Sequence, residues 1–205
     1  MKHILEPIEQ PYAADIAEIF SRYPQDKNGY ILKLFRVFAN SKRFLTTKGA
    51  INLLDDESPL TIREREIVIL RVTANNNCEY EWGVHVSAFA RAAELTSEQV
   101  RATRFTVDSA DCWTKDERLL IDCVDQLCNG AKIQDVTYGR FQEQWSLEQQ
   151  LEIFALCGNY HLISFVANSA RIEPEPGVAR FPDQGVSLLD PFTNKSSATP
   201  SVAAE

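Results

Sequence analysis

The stretch CEYEWGVH, Cys78 to His85, places a thiol, carboxylates and an imidazole within eight residues. On a helix, Cys78, Glu81, Trp82 and His85 fall at i, i+3, i+4 and i+7 and share one face. Ala88 and Phe89 continue that face, so it points inward. A carboxylate and an imidazole on an otherwise apolar face need a partner. Glu81 and His85, four residues apart, are spaced to supply one to each other. Such a pair can trade one proton near neutral pH, which is what general acid–base catalysis requires. The competing reading is a purely structural pair that ties the core together.

Glu66 is a further candidate, within LTIREREIVILRVT, where Ile62, Ile69 and Leu70 mark an inward stripe. It lies one turn before Leu70, while Glu64 serves a helix cap; judged alone, Glu66 reads as a solvated surface residue. Cys78, Glu81 and His85 are all metal-ligand types, but no H-E-x-x-H pattern accompanies them and only two other histidines exist, so no metal is expected. Neither a glycine-rich phosphate loop nor a G-x-S-x-G elbow is present, and no nucleotide cofactor is expected.

These residues must be positioned by helices, because the apolar periodicity is helical nearly everywhere and no alternating strand pattern stands out. Four capping boxes punctuate helix starts: Thr61 with Glu64, Thr96 with Gln99, Thr114 with Glu117, and Ser146 with Gln149. Asp135 reads as a fifth cap. The implied helices cover 12–23, 30–38, 41–54, 62–75, 79–93, 97–104, 115–129, 136–145 and 147–170. Two of them carry a single histidine each, His85 and His161, which hints at related hairpins.

After Ile172 the composition turns to Pro, Gly, Ser and Thr, which predicts an extended segment, partly mobile, able to pack through Phe181, Leu188, Leu189 and Phe192. The expected organisation is N-terminal helices over 1–58, a helical core over 59–172 and a tail over 173–205.

A net charge of −8 without any basic block argues against nucleic-acid or anionic-membrane partners. The start, MKHILEPIEQPY, lacks the apolar core of a secretory leader, and no apolar run approaches bilayer length. Five cysteines, an odd number without such a leader, predict free thiols in a reducing compartment, hence a cytoplasmic protein.

The segment LTIREREIVILRVTANNNCEYEWGVHVSAFARAAELTSEQV resembles the core of the carboxymuconolactone decarboxylase and alkylhydroperoxidase-like family. The shared signature is a Glu-bearing helix, then Asn-Cys-x-Tyr, then E/C-x-x-x-H-x-x-x-A. The likeness is strongest from Leu60 to Val100 and weaker to about residue 176. It implies an all-α helical bundle of the alkylhydroperoxidase-like type, with extra N-terminal helices, assembled as a homo-oligomer (trimer or hexamer).

In the family's peroxidase branch, the first cysteine of C-x-x-C matches Cys78, the histidine matches His85 and a proton-relay glutamate matches Glu66. The second cysteine, which attacks the peroxide, is Glu81 here. A carboxylate forms neither a sulfenic acid nor a disulfide. The decarboxylase branch, resembling N-E-Y-E-x-x-x-H, matches Glu81 and His85 and needs neither a redox step nor a metal. The resulting expectation is a cofactor-independent enzyme acting on a small carboxylic acid or lactone. Glu81 and His85 would be its acid and base, Glu66 would assist, and Tyr80 and Trp82 would shape the pocket. Arg63, Arg65 and Arg71 are near enough in sequence to hold a substrate carboxylate. The alternatives are a thiol-dependent peroxidase using Cys78, and a non-catalytic helical oligomer.

Overall fold

A computed structural model describes residues 5–48, 57–105 and 111–182. These residues form helices joined by turns and extended segments: α1 (Ala14–Phe20), α2 (Lys33–Phe38), α3 (Lys42–Lys48), α4 (Ile62–Asn75), α5 (Glu79–Phe89), α6 (Ser97–Ala102), α7 (Lys115–Gly130), α8 (Asp135–Gln144) and α9 (Leu147–Ser169). No strand occurs among the described residues, as the helical periodicity predicts.

The centre is α4. Ile67 through Ala74 are buried on every side, because α4 packs against α5, α7 and α9 at once. A helix apolar all round has no solvent face to offer, and its sequence, IVILRVTA, shows why. The one long cation in this run, Arg71, is 4% exposed and satisfied by a bidentate pair with Asp125 of α7 at 2.5 and 2.7 Å. Its remaining donors reach the carbonyls of Thr103 and Phe105. Removing either charge would strand the other in the core.

All four capping boxes form, each with both reciprocal bonds. The local code is sufficient there because both partners lie within one turn. Asp135 does not cap α8: the capping position is Gln134, without a side-chain bond, and Asp135 is the first helical residue. The reason is one position upstream, where buried Ile133 and the bond from Gln134 N–H to Gln126 Oε1 (2.7 Å) set the entry of the chain. Helix α5 also ends earlier than its periodicity predicts, since Ala93 and Leu95 fold back onto the Phe89 and Ala90 carbonyls and Glu94 adopts a left-handed φ of 53°. The predicted extension of α3 past residue 48 lies outside the described residues.

A tight turn joins α4 to α5: Asn77 takes a φ of 52° and the Cys78 N–H donates to Thr73 O (2.8 Å). The two helices therefore run back along each other as a hairpin.

Helices α1 to α3, six or seven residues each, are too short to persist alone. An edge-on aromatic chain of Tyr12, Phe20, Tyr23 and Phe35, extended by Phe38 and Phe44, ties them together. The end of the described chain crosses α5 as an extended strap. Ala179 N–H donates to Ser87 Oγ, Phe181 N–H donates to Glu79 Oε1, and the Phe181 ring lies against Trp82 and under the Arg104 guanidinium. Gly83 makes this crossing possible, because a Cβ there would sit 2.1 Å from the Ala179 carbonyl oxygen. Phe181 thus packs on the body as its apolar character predicts; Leu188, Leu189 and Phe192 lie outside the described residues.

Candidate acid–base site

Three helices supply the site. Glu66 comes from the middle of α4, Glu81 and His85 from the inner face of α5, and Tyr160 from the inner stripe of α9. All four side chains are buried. Glu66 Oε2 lies 2.9 Å from His85 Nδ1. On the other side of the ring, His85 Nε2 faces the Tyr160 hydroxyl at 3.0 Å and Glu81 Oε1 at 3.5 Å. The Tyr160 ring meets the imidazole edge-on at 5.1 Å, and Phe89 covers it at 5.2 Å.

Burial alone would drive His85 to give up its proton, but the Glu66 carboxylate, helped by Glu81, reverses this and raises its pKa to about 10. The ring is therefore an imidazolium at neutral pH. Nδ1–H donates to Glu66, and Nε2–H points at the Tyr160 oxygen with Glu81 alongside. When the ring loses its Nε2 proton, that nitrogen becomes an acceptor for the Tyr160 O–H. Burial, together with the charges of Glu81 and Glu66, keeps the phenol protonated well above its ordinary range. The arrangement can hold one mobile proton between a nitrogen, a phenol and a carboxylate.

The hairpin brings Glu66, Glu81 and His85 together, as the family resemblance implies, and Glu66 is buried rather than solvated as its sequence position alone suggests. Cys78 lies at the N-cap of α5, fully buried, with Ser164 of α9 as a hydrogen-bonding neighbour. Burial pushes its thiol up to about 11 and the Glu81 charge adds to this, which disfavours the thiolate.

Tyr80 and Trp82 turn to other partners. The Tyr80 hydroxyl donates to Glu175 Oε1 (2.9 Å) and accepts from Leu34 N–H, whereas Trp82 Nε1–H donates to Thr103 Oγ1 (2.9 Å). Both anchor the strap and the neighbouring helices to α5. Of the three arginines, Arg63 pairs with Glu117 at 2.6 Å and Arg71 with Asp125; the positive charge of Arg65 acts on the Tyr160 hydroxyl. Among the described residues, no three His, Cys, Asp or Glu side chains are arranged to hold a metal ion.

Sequence reasoning overlooked Tyr160 and singled out its neighbour His161, which faces away and binds the Cys157 carbonyl (3.0 Å). The missed signal was periodic. Ile153, Leu156, Tyr160, Ile163 and Ala167 form the buried stripe of α9, and a phenol on such a stripe must find a partner.

Fold and site together define an all-α protein with a buried carboxylate–imidazole–phenol centre. Residues 41–120 match the family model described as "Carboxymuconolactone decarboxylase family". The chain resembles the crystal structure of an uncharacterized peroxidase-related protein from Silicibacter sp. TM1040, with TM-score 0.71 and 18% identity over 89% of this chain and 100% of that one. It also resembles an alkylhydroperoxidase AhpD core protein from Ralstonia eutropha JMP134, with TM-score 0.69 and 21% identity over 85% of this chain and 95% of that one. A third likeness is to a protein of unknown function from Agrobacterium tumefaciens, with TM-score 0.61 and 19% identity over 67% of this chain and 94% of that one. No curated protein matches the chain. Residues 41–120 thus carry the likeness to the carboxymuconolactone decarboxylase family, and the fold is that of the alkylhydroperoxidase-like structures. No described helix is long and apolar enough to cross a membrane.

Proposed function

We propose that this chain is a cofactor-independent acid–base enzyme acting on a small carboxylic acid or lactone. The observation that carries this reading is the buried contact of His85 with Glu66 at 2.9 Å on one ring nitrogen and with Tyr160 and Glu81 on the other. In it, Glu66 holds the imidazolium in orientation, and His85 Nε2–H delivers a proton to a substrate oxygen or carbon. Glu81 takes a proton from the substrate on the same side of the ring. Enclosure strengthens each of these charge interactions relative to water. The positive charge of Arg65, which acts on the Tyr160 hydroxyl, would favour a substrate carboxylate at the site. Self-association as a trimer or hexamer in the cytoplasm belongs to the same proposal.

A second reading, a thiol-dependent peroxidase, draws on the peroxidase-related names of the structural relatives. It would use Cys78 with an external thiol as reductant. Against it stand the Cys78 thiol, raised to about 11 by burial, and Glu81 in the place of a second cysteine.

Two assays separate the readings. Turnover of a panel of lactones and small carboxylic acids should be lost in Glu81→Gln and His85→Gln and kept in Cys78→Ser. Thiol-dependent peroxide consumption that disappears in Cys78→Ser would instead establish the peroxidase.

A further inference from the structure

Helix α9 buries one face against α4, α5 and α7 and leaves the opposite face uncovered. Along that outer face runs a stripe of exposed apolar side chains, bordered by the exposed Glu148: Leu147 is 78% exposed, Leu151 68%, Leu162 41% and Phe165 61%. Ala155 and Gly158 lie between them, and the spacing from Leu147 to Phe165 follows helical periodicity without a charged residue on the stripe. A Cβ at Gly158 would meet nothing within 4 Å. The stripe is about 27 Å long at 1.5 Å per residue. Its four large side chains expose on the order of 500 Å², as much as the largest apolar patch of an ordinary monomer and most of the roughly 800 Å² per partner in a standard interface.

We propose that this stripe is a two-fold contact with α9 of a second copy of the chain, the helices running antiparallel. The order of residue sizes argues for a copy of itself. Read from either end, the stripe runs large, large, small, small, large, large: Leu147, Leu151, Ala155, Gly158, Leu162, Phe165. A two-fold axis level with the middle of α9 sets Leu147 against the partner's Phe165 and Leu151 against the partner's Leu162. It brings Ala155 and the partner's Gly158 together where the backbones come closest. An isologous contact requires this kind of self-complementarity. Charge agrees: each copy carries a net charge of −8, and a stripe without charges is where two such copies meet at least cost.

The inference rests on the self-association proposed above and locates it. It also restricts it, because a two-fold contact exists in a dimer or in a hexamer and not in a bare trimer. Tyr160 projects from the opposite face of the same helix, so the contact would stiffen the element that completes the site.

The test is the solution mass of the full chain by sedimentation equilibrium. The wild type is expected as an even oligomer. Leu151→Glu and Leu162→Lys should each halve the mass, and the double variant should restore it, because each introduced charge then faces its opposite on the partner. A wild-type monomer would overturn both the self-association and this contact. An oligomer whose mass Leu151→Glu leaves unchanged would overturn the contact alone. Single variants that halve the mass without recovery in the double variant would refute the antiparallel register. A wild-type monomer that becomes an even oligomer on removal of residues 183–205 would make the tail, rather than a second copy, the occupant of the stripe.

Discussion

Glu66 and His85, nineteen residues apart and on different helices, meet at 2.9 Å inside the protein, and this contact sets the protonation state of the site. Without the carboxylate, burial would oppose the charged ring with only Glu81 left to support it. Glu66→Gln should therefore lower the His85 pKa from about 10. Imidazole resonances followed by NMR through pH 5–10 check this; a titration that Glu66→Gln does not move would refute the assignment.

The same contact predicts a pH dependence of stability. The folded chain binds the His85 proton more tightly than the unfolded chain, so the contribution is fully present below about pH 6.5 and lost as pH rises through about 10. The melting temperature should decline across that window. In His85→Gln this part of the decline should be absent, and equal slopes in the two proteins would count against it.

Tyr160→Phe keeps the edge-on ring contact and removes only the hydroxyl facing His85 Nε2. Loss of one hydrogen bond costs about 1 kcal/mol, whereas loss of a proton-handling group should slow turnover by roughly a hundredfold. Measured stability and the pH profile of kcat should separate in this way. A purely structural tyrosine would leave the profile unchanged.

With its thiol near 11, Cys78 is only about 0.1% thiolate at pH 8. Alkylation followed by mass spectrometry should label Cys78 far more slowly in the folded chain than in denaturant. Labelling as fast as free cysteine would revive the thiol mechanism.

Asp125→Ala should destabilise the fold by about 3–5 kcal/mol, because it leaves the buried Arg71 guanidinium without its carboxylate. Denaturant unfolding measures this, and Arg71→Met combined with Asp125→Leu should recover most of the loss.

Gly83→Ala forces the strap off α5, since the new methyl group would collide with the Ala179 carbonyl oxygen. The helix itself gains about 1 kcal/mol of propensity from the change, so the body should stay stable while tryptic cleavage after Arg180 accelerates. Unchanged cleavage would mean that the strap has room to spare.

What the sequence determined by itself was local. The four capping boxes and the shared face of Glu81 and His85 follow from spacings within two turns, where helix geometry leaves no choice. Glu66 stood out only through the family resemblance, because its partner lies on another helix. Tertiary packing decided the rest. It chose Tyr160 over His161, committed Arg63 and Arg71 to ion pairs, and turned Tyr80 and Trp82 toward the strap and its surroundings. Those contacts link residues as much as 99 apart, Trp82 and Phe181, and helix periodicity says which face a side chain occupies but not which neighbour that face will meet.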